Sequence, residues 1–336
     1  MTRFRPLAQG GRARPAGALT LAGGWTWFTH AEVLERGAPP RIVPAADLPA
    51  AARDRLTAPR APLAGLALDR PRIMAILNVT PDSFSDGGLH AAPDSARAQA
   101  EALIAAGADI LDIGGESTRP GAQTLPDGDE AARIVPAVQA ARAVWSGPIS
   151  MDTRKAGVAR AAVAAGASFV NDVAALTFDP GMAAFVAETA LPVCLMHAQG
   201  TPETMQRDPH YDDVVLDVLD WLEARIDAAV AAGIPRDRIA VDPGIGFGKT
   251  LDHNLALLAK LSVFHDLGCA VLLGASRKRF IGTLTDTDRP NRRMPGSLAV
   301  ALAAVAQGVQ IVRVHDMAET RAALTVWRAA TTGERE

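Results

Sequence analysis

The chain has 336 residues, 49% of them hydrophobic and 21% charged, with a formal net charge of -3 and a pI near 6.2. That is globular composition with material for a large core, and it lacks the basic surplus of a duplex-binding protein. No stretch of about 18 uninterrupted apolar residues is present, which excludes an ordinary membrane-spanning helix.

Residues 1–70 differ from the rest, being rich in Ala, Pro and Arg without helical periodicity. Arg3, Arg5, Arg12 and Arg14 precede an apolar run, and the first acidic residue is Glu32. This loosely resembles a targeting segment. However, Pro15, Gly17, Gly23 and Gly24 break any helix and no small-residue cleavage site follows, so a retained N-terminus is expected. Leu19-Thr20-Leu21 and Trp25–Phe28 flank Ala22-Gly23-Gly24, which predicts a β-hairpin. Arg41-Ile42-Val43 predicts a third short strand, and 46–70 a linker with one short helix. The apolar Trp25, Trp27 and Phe28 predict that residues 18–45 pack against the main body, away from its functional mouth.

From residue 72 short apolar runs with strand character alternate with Ala-rich segments of helical spacing. The predicted strands are 73–77, 109–113, 148–151, 168–171, 192–196, 238–241, 270–273 and 310–314. Helices fit between them at about 92–106, 129–144, 155–165, 179–189, 212–232, 252–262, 294–307 and 317–330. In 212–232, Val214, Val215, Val218, Leu222 and Ile226 share one face, and Gly233 stands where a C-cap belongs. Strands alternating with helices imply parallel βαβ units, and eight units match a (β/α)8 TIM barrel of roughly 250 residues. A doubly wound open sheet is the alternative. The expected division is a β-containing extension over 1–70 and a barrel over 71–331.

Nearly every predicted strand runs into functional groups. The first leads to Asn78-Val79-Thr80-Pro81-Asp82-Ser83-Phe84, and the second holds Asp112 and leads to Gly114–Gly121. The others give Asp152-Thr153-Arg154, Asn171-Asp172, Met196-His197, Asp242, Ser276-Arg277-Lys278, and Arg313 with His315-Asp316. In a parallel barrel these ends converge on the face where barrel active sites lie. Taken singly, some have blander readings: Asp316 as a helix N-cap, Asp82 and Ser83 as a turn. Gly244–Thr250 is no phosphate loop, because Pro243 stands where that pattern needs glycine. Cys194 and Cys269 lie in apolar runs and read as small buried hydrophobes. Two isolated cysteines suit a reducing cytosol, so a cytoplasmic enzyme is expected.

Seven motifs, LNVTPDSFSDGG (77–88), DIGGESTRPGA (112–122), NDV (171–173), LMHAQG (195–200), DPGIGFGK (242–249), GASRKRFIG (274–282) and RVHD (313–316), resemble the dihydropteroate synthases in order and spacing. The resemblance covers about 72–330; Ala198 departs from it, where a methionine-like residue is expected, and residues 1–70 lie outside it. It implies condensation of 6-hydroxymethyl-7,8-dihydropterin pyrophosphate with p-aminobenzoate, giving 7,8-dihydropteroate and pyrophosphate by a dissociative route. A small-molecule transferase of this kind needs neither nucleic acid nor membrane, and homodimers are usual in the family.

The resemblance also implies roles. Asp242 accepts from the donor-rich pterin edge, with Asn171 and Asp152 beside it and Lys278 donating to the ring carbonyl. Met196 and Phe247 pack on the ring faces, with Gly274 in the same pocket. Arg313, His315 and Arg119 face the pyrophosphate, and Asn78 offers an oxygen to Mg2+. Asp112, Asp152, Lys278 and Arg313 are the catalytic candidates, the carboxylates of Asp112, Asp152 and Asp242 stabilising a cationic methylene. Phe84, Thr118 and Pro120 line the arylamine, whose carboxylate sits by Ser276 at the start of a helix near Arg277. Glu116 is either a buried structural carboxylate or a direct participant. A pterin-dependent methyltransferase, or a pterin-binding paralogue without catalysis, is the alternative; the first has no need of Asn78, STRPGA and SRK together.

Overall fold

The computed structural model describes residues 1–79, 88–117, 121–201 and 203–333, with residues 88–93 as backbone only. Eight parallel strands close into a barrel: β6 (Arg72–Asn78), β7 (Ile110–Gly114), β8 (Ile149–Asp152), β9 (Phe169–Asp172), β10 (Val193–Met196), β11 (Ile239–Asp242), β12 (Ala270–Gly274) and β13 (Ile311–Val314). The seam closes where β13 pairs with β6, Val312 opposite Ile73. An open sheet is therefore ruled out.

The period of two along a strand decides what each residue faces. Met74, Ile110, Phe169, Cys194, Ala240 and Ile311 form one buried cluster inside the barrel. Their sequence neighbours Ala75, Leu111, Val170, Leu195, Val241 and Val312 belong to a second cluster packed against the surrounding helices. Two residues above the inner apolar layer the inward side chains turn polar: Asp112, Asn171, Asp242 and Arg313.

The helices following the strands are α2 (Gly88–Ala105), α3 (Asp127–Arg142), α4 (Ala156–Ala164), α5 (Met182–Thr189), α6 (Val214–Ala231), α7 (Leu251–Ala259), α8 (Arg279–Thr285), α9 (Met294–Ala306) and α10 (Met317–Thr332). In α6 the predicted stripe is buried throughout. Asp213 caps it by accepting from the backbone N–H groups of Val215 and Leu216, and Gly233 follows at φ +99°. Helix α8, expected to start near Arg277, begins at Arg279. It is a short insertion holding Phe280 and Ile281 buried beside α9, too brief for a periodic stripe.

In the first 70 residues the predicted hairpin is present but short: β2 (Leu19–Thr20) and β3 (Trp27–Phe28) are antiparallel. The strand at 41–44 is also present, as β5 (Arg41–Pro44), but it belongs to another sheet. There β4 (His30–Leu34) lies between β1 (Arg3–Pro6) and β5. Strand β1 was not expected, because its arginines disguise it. Arg3 is 1% exposed and donates to Asp220 at 2.7 Å and Glu223 at 2.6 Å on α6. Helix α1 (Ala50–Thr57) is the predicted short helix, and it and β1 pack on the 3-10 segment Leu261–Leu267 that leads into β12. Leu63 and Leu68 join the inner apolar cluster and close the barrel's N-terminal end. The extension thus covers the end opposite the strand termini.

Candidate active site

The mouth is built around Arg313, raised by β13 into the polar layer. Its Nε donates to Asp112 Oδ2 at 2.6 Å and its Nη2 to Asp152 Oδ2 at 2.7 Å. Burial opposes its charge, but the two carboxylates outweigh burial and hold its pKa above the ordinary value. Sequence reasoning aimed this guanidinium at pyrophosphate; its hydrogen bonds here are spent on the two aspartates. Asn171 Nδ2 donates to Asp112 Oδ2 at 3.4 Å. Asp112 Oδ1 and Asp152 Oδ1 are buried without a hydrogen-bond partner among the described residues. Buried acceptors left unpaired are costly, so both point to a ligand that brings donors.

Burial pushes the Asp152 carboxyl up to about 7; Arg313 opposes the rise and Asp112, Glu130 and Asp172 add to it. Asp242 is 4% exposed, and burial raises its pKa against Lys278 and two backbone donors. Those donors are the N–H of Gly244 at 2.7 Å to Oδ1 and of Gly274 at 3.2 Å to Oδ2. Each oxygen keeps a second lone pair for a ligand. Gly274 has only hydrogen where a Cβ would stand 3.5 Å from Asp242 Oδ2, which keeps the floor open.

Lys278 is pushed down to about 8, chiefly by burial with Arg313 adding, while Asp242 opposes. Its Nζ donates to the Ile245 carbonyl and stands 4.5 Å from the Phe247 ring centre. The predicted ring-carbonyl donor is therefore held over the predicted ring-packing residue. Met196, opposite Asp242 in the barrel register, is 4% exposed. Phe247 also borders a cavity lined by Arg154, Val173, Ala174, Met205 and Trp221.

The remaining candidates divide. Ser276 Oγ accepts from the His315 backbone N–H at 3.2 Å and lies 3.1 Å from His315 Nδ1. It is not in a helical first turn, because α8 begins at Arg279 after Arg277 adopts φ +57°. Asp316 stands at the start of α10 but makes no side-chain cap; its Oδ2 accepts from Arg277 Nε at 3.0 Å. Phe84, Thr118, Arg119 and Pro120 lie outside the described residues. Asn78 ends β6 at the rim, paired with Gly114 of β7. Among the described residues no group of three or more His, Cys, Asp or Glu side chains is placed to hold a metal. A lone amide oxygen still fits Mg2+, which completes its shell with phosphate oxygens and water.

Sequence reasoning missed two groups. Lys249, 3% exposed, has its Nζ 2.8 Å from His197 Nδ1 and donates to the Phe247 carbonyl at 3.0 Å. Burial, and Lys249 after it, pushes His197 down to about 2. The second is Arg154 and Lys155 on Glu116: Lys155 Nζ donates to Glu116 Oε2 at 2.6 Å and Arg154 Nη2 to Glu116 Oε1 at 3.0 Å, contacts of the kind a buried structural carboxylate makes. Consecutive basic residues after a strand were the only sequence signal for that pair.

Residues 74–315 match the model of the pterin binding enzyme family. The dihydropteroate synthase of Escherichia coli K12 is 47% identical over 264 residues, covering 79% of this chain and 93% of that protein. That of Neisseria meningitidis serogroup B is 48% identical over 269 residues, covering 79% and 94%. Among solved structures, the Xanthomonas albilineans dihydropteroate synthase with 4-aminobenzoic acid aligns with a TM-score of 0.76 and 50% identity, over 81% of this chain and 98% of that one. The same enzyme in complex with 7,8-dihydropteroate gives a TM-score of 0.73 at 47% identity, over 81% and 98%. With the closed barrel and the polar layer of its mouth, these matches show that the chain belongs to the pterin-binding enzyme family, among its dihydropteroate synthases.

Proposed function

We infer that the chain is a transferase joining 6-hydroxymethyl-7,8-dihydropterin pyrophosphate to p-aminobenzoate, releasing 7,8-dihydropteroate and pyrophosphate. The observation that carries this reading is the pair of buried oxygens without a hydrogen-bond partner among the described residues, Asp112 Oδ1 and Asp152 Oδ1, in a layer that also holds Asn171 and Asp242. A pterin edge is rich in N–H donors and flat enough to lie over such a floor. Asp242 and Asn171 take the edge, Lys278 donates to the ring carbonyl, and Met196 and Phe247 cover the faces.

In the proposed route the methylene C–O bond breaks first and pyrophosphate leaves with the electron pair. The cation spreads into the dihydropterin ring, and the carboxylates of Asp112, Asp152 and Asp242 stabilise it in a site of low dielectric. The neutral arylamine then forms the C–N bond and loses one proton to water. Arg313 holds two of those carboxylates in place, at 2.6 and 2.7 Å. Asn78 would hold Mg2+, which when bound supplies positive charge to the leaving pyrophosphate. Ser276 and His315 face the substrates from the ends of β12 and β13. A methyltransferase has no pyrophosphate to hold, and so has no need of Asn78, STRPGA and SRK together.

Two free, buried cysteines support a reducing compartment such as the cytosol, and a homodimer follows from the family resemblance. The test is pyrophosphate release by the purified protein, expected to need both substrates and Mg2+. In the same assay set, Asp242→Asn turns one acceptor into a donor facing a pterin donor. Pterin pyrophosphate binding by calorimetry should fall at least about tenfold, since a mismatched buried group costs about 1–3 kcal/mol. Unchanged binding by that variant would overturn the pterin assignment.

A further inference from the structure

The two residues assigned to the pterin faces, Met196 and Phe247, stand on different stretches of chain, and a buried amine joins those stretches. Met196 ends β10 and is followed by His197; Phe247 lies two residues before Lys249 in the connection from β11 to α7. Lys249 Nζ stands 2.8 Å from His197 Nδ1 and donates to the Phe247 carbonyl at 3.0 Å. The His197 ring is itself held, edge-on to Trp221 of α6 with ring centres 4.9 Å apart, and 6.0 Å from the Tyr211 ring. Tyr211 Oη in turn donates to the Gly248 carbonyl at 2.7 Å.

That amine is costly where it stands. Lys249 is 3% exposed and His197 4%. Among the described residues no carboxylate pairs with Lys249; burial, then Lys278, pushes its pKa well below the ordinary value, with Asp242 opposing. Lysine is almost never fully buried without a partner, because desolvating its charge is expensive. A methionine of similar length would fill the space without that expense. What the amine supplies instead is position: a donor that joins the backbone of one wall to a side chain rooted beside the other.

We propose that Lys249, through His197, is a positioning residue for pterin binding: it fixes the Phe247 wall of the pterin slot relative to the Met196 wall. This rests on the dihydropteroate synthase reading. A site whose supporting groups are loose by about 1 Å loses much of its productive geometry. The carboxylate layer of Asp112, Asp152 and Asp242 is held by other contacts, from Arg313 and from the backbone N–H groups of Gly244 and Gly274. Loosening the walls should therefore weaken pterin binding before and during the reaction alike and spare the chemical step.

The test uses Lys249→Met, His197→Leu and His197→Asn in the full chain, with Phe247→Ala alone and combined with Lys249→Met. Pterin pyrophosphate Kd is measured by calorimetry, kcat at saturating concentrations of both substrates, and Tm on each variant. Lys249→Met should raise the Kd at least about tenfold with kcat within about threefold of wild type. Its Tm should be unchanged or higher, because a buried amine gives way to an apolar group of similar shape. His197→Leu should raise the Kd similarly, and His197→Asn, whose amide oxygen keeps an acceptor near the Nδ1 position, should recover part of the loss. In the Phe247→Ala background Lys249→Met should add less than about twofold, since the wall it positions is gone. A Kd within about twofold of wild type in Lys249→Met overturns the assignment, as does an effect of about tenfold that survives in the Phe247→Ala background. A lower Tm with binding and kcat falling together marks Lys249 as an ordinary core residue and overturns it too. If Lys249→Met does not fold, the His197 pair decides: equal Kd values for Leu and Asn at that position count against the assignment, and recovery by Asn supports it. Wild-type protein that binds no pterin pyrophosphate would instead sink the reading on which the assignment rests.

Discussion

Burial places the Asp152 carboxyl in a pH range where an ordinary aspartate has long been ionised. Its pKa is lifted to about 7 mainly by desolvation, with Arg313 pulling down and Asp112, Glu130 and Asp172 pushing up. Because the folded value lies above the unfolded one, the native state retains a proton that the unfolded chain releases. Asp152 therefore lowers stability progressively as pH rises from its ordinary value of 3.8 to about 7, and by a constant amount above that. Activity should run the other way, since only the ionised carboxylate stabilises a cation. The kcat is expected to fall as pH drops through about 7, and Asp152→Asn should be slower with that limb flattened. A wild-type profile level across that range would remove Asp152 from the charge-stabilising set. The floor residues Asp112, Asn171, Asp242 and Arg313 were legible because strand periodicity and chain position both put them at the mouth. The buried contacts of Lys155 with Glu116 and Glu130 were not, since the three residues lie on three elements and no local pattern joins them.

At the scale of an element, the β11–α7 connection shows how tightly backbone is drawn around the site. Gly244 has φ +68°, and a Cβ there would stand 1.8 Å from the His197 carbonyl oxygen. Left-handed backbone costs a non-glycine residue roughly 1–2 kcal/mol before any clash. Here the obstacle is backbone of β10's continuation, whose own N–H donates to the Asp242 carbonyl at 2.9 Å, so it cannot swing aside without disturbing the barrel. Gly244→Ala should lower the Tm and weaken pterin pyrophosphate binding together, because the Gly244 N–H is one of the two backbone donors holding Asp242. Native Tm with native binding would show that the connection yields. The barrel strands and the large helices were readable from periodicity, with ends shifting by a residue or two in most cases. Strand β1 was not, and helix α8 was legible only as a helix starting near Arg277, without bounds. The first is held by ion pairs reaching more than two hundred residues along the chain, and the second buries only a few side chains.

For the whole molecule the question is what the first 45 residues contribute. They place Leu21, Trp27, Phe28 and Ala31 in buried positions, with Leu21, Phe28 and Ala31 in a cluster shared with Leu48 and Leu56 of the following segment. Polar ties run across the same boundary: Arg3 to α6, Lys260 to Glu32 at 2.7 Å, Ser262 to the Pro6 carbonyl at 2.8 Å and Trp25 to the Val305 carbonyl at 2.9 Å. All of these partners belong to α6, to the approach to β12 or to the end of α9, far from Asp112, Asp152 and Asp242. Removing residues 1–45 should therefore strip cover from Leu56 and from the buried His265 and Asp266, and Asp266 loses the Phe4 backbone N–H from which it accepts at 3.4 Å while keeping Arg55. Full burial of one large apolar side chain is worth roughly 1.5–3 kcal/mol, and several lose it at once. The truncated chain should melt several degrees lower, about 2–4 °C for each kcal/mol lost in a domain of this size. Its pterin pyrophosphate Kd should stay within about twofold, because the floor is held by barrel residues alone. A truncation that keeps the native Tm yet weakens either substrate strongly would place the extension at the mouth and contradict this arrangement.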